Sequence, residues 1–347
     1  MSLSPDVALR HPFDSAPEPG CARAVAPGVL WIRLALPFQL DHINVWALDG
    51  GERGWTLVDT GLGDARTRDS WERLFTGALE NRPVERVIAT HFHPDHIGLA
   101  GWLVERTGAS FAASLTEWLF ARMLSAGNDP AMDGAVERFY QRSGLEGEVL
   151  TAVLGRKSAY TRGVPSVPAV LTRLRAGDDL TIGDSTWRVI GGGGHTAEPV
   201  CLHDAARGLL IPGDQILPRI SPNISVWPTE PDADPLTDYL TSLEAWSALP
   251  PDTLVLPSHG LPFYGLHARA AELHAHHGAR LDDITVQCAS PQTAAMVTGA
   301  LFNRPLDPHQ MVFAMGEAIA HLNHLIRRGA LERHDGPDGV DLYQRRA

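Results

Sequence analysis

The chain has 347 residues, 44% of them hydrophobic and 20% charged, with a formal net charge of −12. Such a length exceeds the ~100–200 residues usual for one domain, and the composition is that of a globular protein, so a large unit with a smaller companion is expected and extensive disorder is excluded. The negative charge, with Lys157 as the single lysine, argues against general attraction to nucleic acid or to an anionic membrane.

The first twenty residues carry Asp6, Arg10, His11, Asp14 and Glu18 among four prolines, which leaves no apolar core for a signal peptide. Nowhere does an uncharged apolar run approach the roughly 20 residues of a membrane span. Cys21, Cys201 and Cys288 show no short metal-ligand spacing and leave one thiol over. That pattern points away from a disulfide framework and toward a reducing cytoplasm.

Short β-rich segments at 29–36, 43–48 and 55–58, separated by Pro, Gly and Asp, read as a meander of strands. A helical stretch at 66–79 follows. The strand-like run 84–89 then leads directly into Thr90-His91-Phe92-His93-Pro94-Asp95-His96-Ile97-Gly98. Residues 97–105 read as a helix and 109–113 as the next strand. From 115 to 160 the pattern is helical, anchored by Trp118, Leu119, Met123, Phe139, Tyr140, Leu150 and Leu154, and reads as an insertion. Strand signals resume at 179–182, 187–190, 200–202, 209–211 and 254–256. Between 215 and 235 lies a Pro-rich loop long enough to form a site wall, closed by a helix at 236–249. After His259, helical patterns at 268–281, 292–301 and 308–328 precede a hairpin at 331–344 around Gly336-Pro337-Asp338-Gly339. The predicted organisation is a catalytic domain over 20–265 and a small winged-helix-like domain over 266–347.

The His-x-His-x-Asp-His run concentrates four donors within six residues, His91 to His96. In extended backbone alternate side chains face the same way, so His91 and His93 can grip one cation, while the turn around Pro94 aims Asp95 and His96 at a second. A single loop histidine is usually a surface residue; a packed set after a strand is not. Three more candidates stand at strand ends beside glycines: His195 after Gly194, Asp214 after Gly213, and His259 before Gly260. Glycine lets backbone pass close to a crowded site.

With these motifs the sequence resembles the metallo-β-lactamase superfamily, which includes glyoxalase II, lactonases, thioesterases, RNase Z and the β-lactamases. The matches run in order through Val58-Asp59-Thr60-Gly61, Thr90 to Gly98, Gly194-His195-Thr196, Pro212-Gly213-Asp214 and Ser258-His259-Gly260. The resemblance implies a mixed α/β (α+β) fold, an αββα sandwich with metals at one edge. It also implies that His91, His93 and His195 hold one ion, that Asp95, His96 and His259 hold a second, and that Asp214 bridges them. Asp59 then acts by hydrogen bonds, orienting a ligand or its loop; the alternative is a plain strand-ending aspartate before a Thr-Gly turn. Aspartate at the bridging position sets the chain apart from zinc β-lactamases with cysteine there. Where many relatives continue Pro-Gly-His after the His-Thr pair, this chain has Ala197-Glu198-Pro199, a departure from the glyoxalase II pattern.

Two cations sharing a water lower its pKa and polarise the oxygen under attack, and Asp95 is placed to orient that water. Two divalent ions are therefore expected, zinc first, with manganese or iron as alternatives for a His/carboxylate shell. No serine or cysteine nucleophile is required, and Cys201 reads as a core residue. The eleven histidines outside the motifs read as surface or structural residues. Arg219 is the candidate anchor for a substrate carboxylate or phosphate, the alternative being that it braces its own loop. The helical insertion offers either an apolar lid for an acyl chain or a dimer contact.

A C-terminal winged helix behind such a core resembles groups linked to thioester hydrolysis and others linked to RNA cleavage. Acidic charge favours a small-molecule ester, lactone or thioester over RNA or single-stranded nucleic acid. A metal-binding regulator acting on DNA is the third reading, and the full donor set speaks against it. From His267 onward there are eight arginines against nine acidic residues, so the C-terminal unit is expected to pack on the catalytic domain or on a second subunit.

Overall fold

The computed structural model describes residues 9–346 except 128 and 156–158, so Asp6 and Lys157 lie outside the described residues. Strands β1 (Ala22–Ala26), β2 (Val29–Ala35), β3 (His42–Asp49), β4 (Trp55–Val58), β5 (Val84–Ile88), β6 (Ser110–Ala113) and β7 (Thr172–Arg173) form one sheet in chain order. It is antiparallel as far as β4 and parallel beyond. Strands β8 (Asp179–Ile182), β9 (Ser185–Gly191), β10 (Val200–Asp204), β11 (Leu209–Ile211) and β12 (Leu254–Val255) form a second sheet in the order β12-β11-β10-β9-β8.

Alternation along the strands builds the layers. On β2, Val29 and Trp31 face the core between the sheets, while Ile32 and Leu34 face helices on the other side. On β11, Leu209 and Ile211 join that central core and Leu210 faces outward. The outer face of the first sheet is covered by α1 (Ala65–Thr76), α2 (Pro94–Ile97), α3 (Ala100–Thr107) and α4 (Leu115–Ser125). Trp71, Leu74, Leu103 and Ala121 supply the apolar contacts. Each such large side chain, taken out of water, contributes roughly 1.5–3 kcal/mol.

The insertion continues through α5 (Pro130–Arg142), α6 (Gly147–Leu154) and α7 (Ala159–Gly163). On the second sheet lie α8 (Pro235–Ala245), α9 (Leu266–Gln287), α10 (Ala294–Leu301) and α11 (Pro308–Arg327), followed by the hairpin β13 (Leu331–Asp335) and β14 (Asp341–Arg345). One apolar cluster joins Phe139 of the insertion, Cys201 and Leu210 of the sheet, and Leu273, Ile319 and Tyr343 of the C-terminal elements. Residues Ala314 to Leu325 of α11 are buried without a break. Its Gly316 carbonyl accepts from the Val226 amide at 3.1 Å, and Asn323 Nδ2 donates to the Pro231 and Ala233 carbonyls at 2.9 Å each. The middle of α11 is thus enclosed by the 215–235 loop, while its first turn and a half, from Pro308 to Phe313, is only partly covered.

The helix expected at 97–105 is broken at Gly98–Leu99. Gly98 keeps helical dihedrals and Leu99 departs from them at φ −101° and ψ 9°; Gly98 is packed so tightly that a Cβ would lie 2.6 Å from the Gly163 carbonyl oxygen and the Gly63 nitrogen. Cys201 and Cys288 are buried free thiols and Cys21 is exposed. Among the described residues, no helix is long and apolar enough to cross a membrane.

Candidate metal centre

The seven expected donors converge at one edge of the sandwich. The His91–His96 loop leaves β5, His195 follows β9, Asp214 follows β11 and His259 follows β12. Three subsets bring donor atoms within 4.8 Å of one another: His91, His93 and His195; Asp95, His96 and His259; and His91, His96 and Asp214. Asp214 faces both sides. Its Oδ1 is 3.5 Å from His96 Nε2 and 3.4 Å from His259 Nε2, and its Oδ2 is 3.7 Å from His195 Nε2. Asp95 Oδ2 is 3.5 Å from His259 Nε2 and 3.7 Å from His96 Nε2. Bonds of about 2.0–2.2 Å to a tetrahedral cation place donors roughly 3.3–3.6 Å apart, which these separations match closely.

The imidazoles are held in the tautomer a cation needs. His195 Nδ1 donates to the Asn223 carbonyl at 2.8 Å and His259 Nδ1 to the His42 carbonyl at 2.7 Å. His96 Nδ1 is 2.8 Å from Asp59 Oδ2, and His91 Nδ1 is 3.0 Å from Thr90 Oγ1. In these four rings Nδ1 faces outward and Nε2 faces the site, whereas His93 turns its Nδ1 inward, 3.0 Å from His91 Nε2. Nε2 of His96, His195 and His259 and Oδ1 of Asp214 are buried and find no hydrogen-bond partner among the described residues. Orphaned polar atoms of this kind are costly unless something else satisfies them, and a pair of cations fits that need.

Electrostatics agree. Burial, reinforced by neighbouring imidazoles, holds His91 and His93 well below the usual histidine range, and burial lowers His195 as well. Burial opposes charge on His96 and His259 too, but the carboxylates outweigh it: Asp59, Asp95 and Asp214 hold His96 well above its usual value, and Asp214 raises His259. Against its own burial, Asp214 is held well below the usual carboxylate range by His259 and His96. Carboxylates thus favour positive charge in that half of the site, a demand that a bound cation meets in place of imidazole protons.

Residues 39–259 match the family described as Metallo-beta-lactamase superfamily, and residues 281–346 match Metallo-beta-lactamase-like, C-terminal domain. The chain belongs to the metallo-beta-lactamase superfamily. A solved beta-lactamase domain protein from Burkholderia ambifaria is similar over 97% of this chain and 98% of its own, with 46% identity and a TM-score of 0.90. The metallo-beta-lactamase family protein TTHA1429 from Thermus thermophilus covers 93% of this chain and 100% of its own, at 29% identity and a TM-score of 0.79. Among curated proteins, Probable metallo-hydrolase YqjP of Bacillus subtilis (strain 168) is 27% identical over 86% of this chain and 92% of its own. Acyl-coenzyme A thioesterase MBLAC2 of Homo sapiens is 27% identical over 56% of this chain, and the match spans 65% of MBLAC2.

Within this superfamily frame, Asp59 sits at φ +65° where β4 ends, accepting from the Thr90 amide at 2.8 Å and from the Thr90 hydroxyl at 2.9 Å as well as facing His96. Arg219 is exposed on the 215–235 loop and does not line the cavity of about 570 Å³ that opens beside His195. That cavity is walled by Phe92, Phe120 and Trp227, with Asp238, Arg327 and Arg328 toward the C-terminal unit.

Two residues escaped the sequence reading. His42 supplies the carbonyl for His259, and its Nε2 accepts from the Gly260 amide at 2.8 Å; no motif marks a backbone acceptor. Glu117 is a carboxylate with 1% exposure whose pKa burial pushes up to about 7. The spacing Ser114-x-x-Glu117 reads as a helix capping box, and Ser114 does cap α4. The Glu117 carboxylate instead leaves the helix for the His91–His93 and His195 loops.

Proposed function

We propose that the chain is a dinuclear metal-dependent hydrolase of carboxylic thioesters or esters, with one cation on His91, His93 and His195, a second on Asp95, His96 and His259, and Asp214 between them. The observation that carries this reading is the convergence of the donor set, one member of which, His195, lines an aromatic-walled cavity. Imidazoles and carboxylates suit zinc and also accept manganese or iron. When bound, such ions acidify water and polarise a carbonyl oxygen.

The protein's own groups do the rest. Phe92, Phe120 and Trp227 offer an apolar wall to an acyl group, and burying a chain against them favours binding by about 25 cal/mol per Å² of apolar surface. Asp95, the more exposed of the two carboxylate donors, orients the attacking water and accepts its proton. A thiolate leaves without being protonated, so a site offering no separate general acid suits thioesters well. Arg219, exposed beyond the cavity, serves a distal carboxylate or phosphate of the substrate. The similarity to an enzyme named as an acyl-coenzyme A thioesterase supports the same substrate class. On this reading the C-terminal elements form a winged-helix-like unit that packs and walls the cavity.

The deciding experiment sets the metal-defined protein against acyl thioesters, lactones and short RNA side by side. Thioester turnover is expected to vanish on chelation, return with zinc or manganese, and fall steeply in His96→Ala with the fold intact. Efficient RNA cleavage with negligible ester and thioester turnover would assign the site to a nuclease instead.

A further inference from the structure

The helical insertion does more than cover the first sheet. Glu117, in the first turn of α4, sends its carboxylate into the gap between two ligand loops. Its Oε2 accepts from the Phe92 amide at 3.0 Å, between His91 and His93, and its Oε1 accepts from the Glu198 amide at 2.8 Å, three residues after His195. The next contact reinforces the second tie: Thr116 Oγ1 donates to Glu198 Oε2 at 2.8 Å. From α7, the Tyr160 hydroxyl donates to the Phe92 carbonyl at 2.6 Å. Residue Phe92 is therefore held at both its N–H and its C=O by side chains of the insertion. Gly163, also in α7, packs against Pro94, where a Cβ would come within 2.8 Å of the proline ring.

We propose that Glu117, assisted by Tyr160, is a positioning residue for the first cation, fixing the distance between the His91/His93 pair and His195. A buried carboxylate costs free energy, and two backbone N–H donors satisfy it only when both loops stand where they do here. When Glu117 is ionised these bonds are charge-assisted and stronger than neutral ones, which stiffens the anchor. Among the described residues no such hydrogen bond reaches Asp95, His96 or His259; His96 is held by Asp59 and His259 by the His42 carbonyl instead. The insertion's side-chain hydrogen bonds thus fall on one half of the site, while its contact with the other is the packing of Gly163 on Pro94.

This inference rests on the assignment of the donors to two cations, and the test separates the two claims. Metal-free protein is titrated with cobalt(II), read by its visible absorption and by chelator competition, in two backgrounds. His96→Ala/His259→Ala keeps only the first donor group, and His91→Ala/His195→Ala keeps only the second. If each background binds one ion, the donor assignment stands; if neither loses an ion, that assignment fails independently of Glu117. Glu117→Gln turns one acceptor into a donor facing a backbone N–H. It is expected to weaken the ion of the first group about ten- to a hundredfold, shift its absorption, and leave the second ion unchanged. Tyr160→Phe, which removes only a hydroxyl, is expected to weaken the first ion about fivefold and keeps the test available if Glu117→Gln does not fold. Equal effects on both ions, or none on either, overturn the proposal.

Discussion

His96 Nδ1 stands 2.8 Å from Asp59 Oδ2, and neither side chain reaches solvent. The same carboxylate receives the amide and hydroxyl of Thr90, so one residue fixes both the ring and the start of the ligand loop. Asn tolerates positive φ nearly as well as Asp, so Asp59→Asn should fold while losing the charge. Zinc competition should then show a loss of about ten- to a hundredfold in affinity at the Asp95/His96/His259 group. An unchanged affinity would reduce Asp59 to a turn residue.

Elemental analysis should approach two transition-metal ions per chain. His91→Ala and Asp214→Ala should each lower occupancy and activity together, because Asp214 lies within reach of His96, His195 and His259 at once. Full metal content in Asp214→Ala would remove its bridging role.

Gly194 turns at φ +90° just before His195, and a Cβ there would lie 2.3 Å from the Pro235 carbonyl oxygen and 2.4 Å from Tyr239 Cβ. Gly194→Ala must push α8 away from the His195 loop, with an expected cost of about 2–4 kcal/mol and a corresponding fall in Tm. At Gly193 the nearest atom would be 3.2 Å away, so Gly193→Ala serves as the mild comparison. Equal Tm values for the two variants would contradict the packing argument.

His321 is wholly buried in α11, its Nδ1 donating to the Glu317 carbonyl at 2.8 Å and its Nε2 3.1 Å from His277 Nδ1. Burial pushes its pKa down to about 4, whereas an unfolded histidine titrates near 6.5. Between those values protons prefer the unfolded chain. Its contribution to stability is therefore full above about pH 6.5 and is lost as pH falls toward 4, by up to about 3 kcal/mol. Urea unfolding of metal-free protein at pH 7.5, 6 and 5 should show this slope, and His321→Gln should flatten it. A parent and variant that lose stability in parallel would show that other groups govern the acid response.

Much of this architecture can be read from the residues because burial imposes a period. The strands from Val29 to Val58 and from Val200 to Ile211 alternate or run apolar, and the glycines before His195 and Asp214 mark the turns that bring donors to the edge. Strand β1 is half exposed on an edge and β7 has two residues, so neither leaves a periodic trace. The demand for glycine at position 98 comes from its approach to Gly63 and Gly163, and their meeting is a long-range event. Glu117 is hidden for the opposite reason: its local pattern is a good one, with a different meaning. His42 contributes through a carbonyl, which every residue possesses.

Arg327 and Arg328 close the cavity from the far end of α11, a long way along the chain from His195. None of the seven converging His and Asp side chains belongs to that helix. Substituting Arg327 or Arg328 would therefore change the charge of that wall while leaving all seven of those side chains in the sequence.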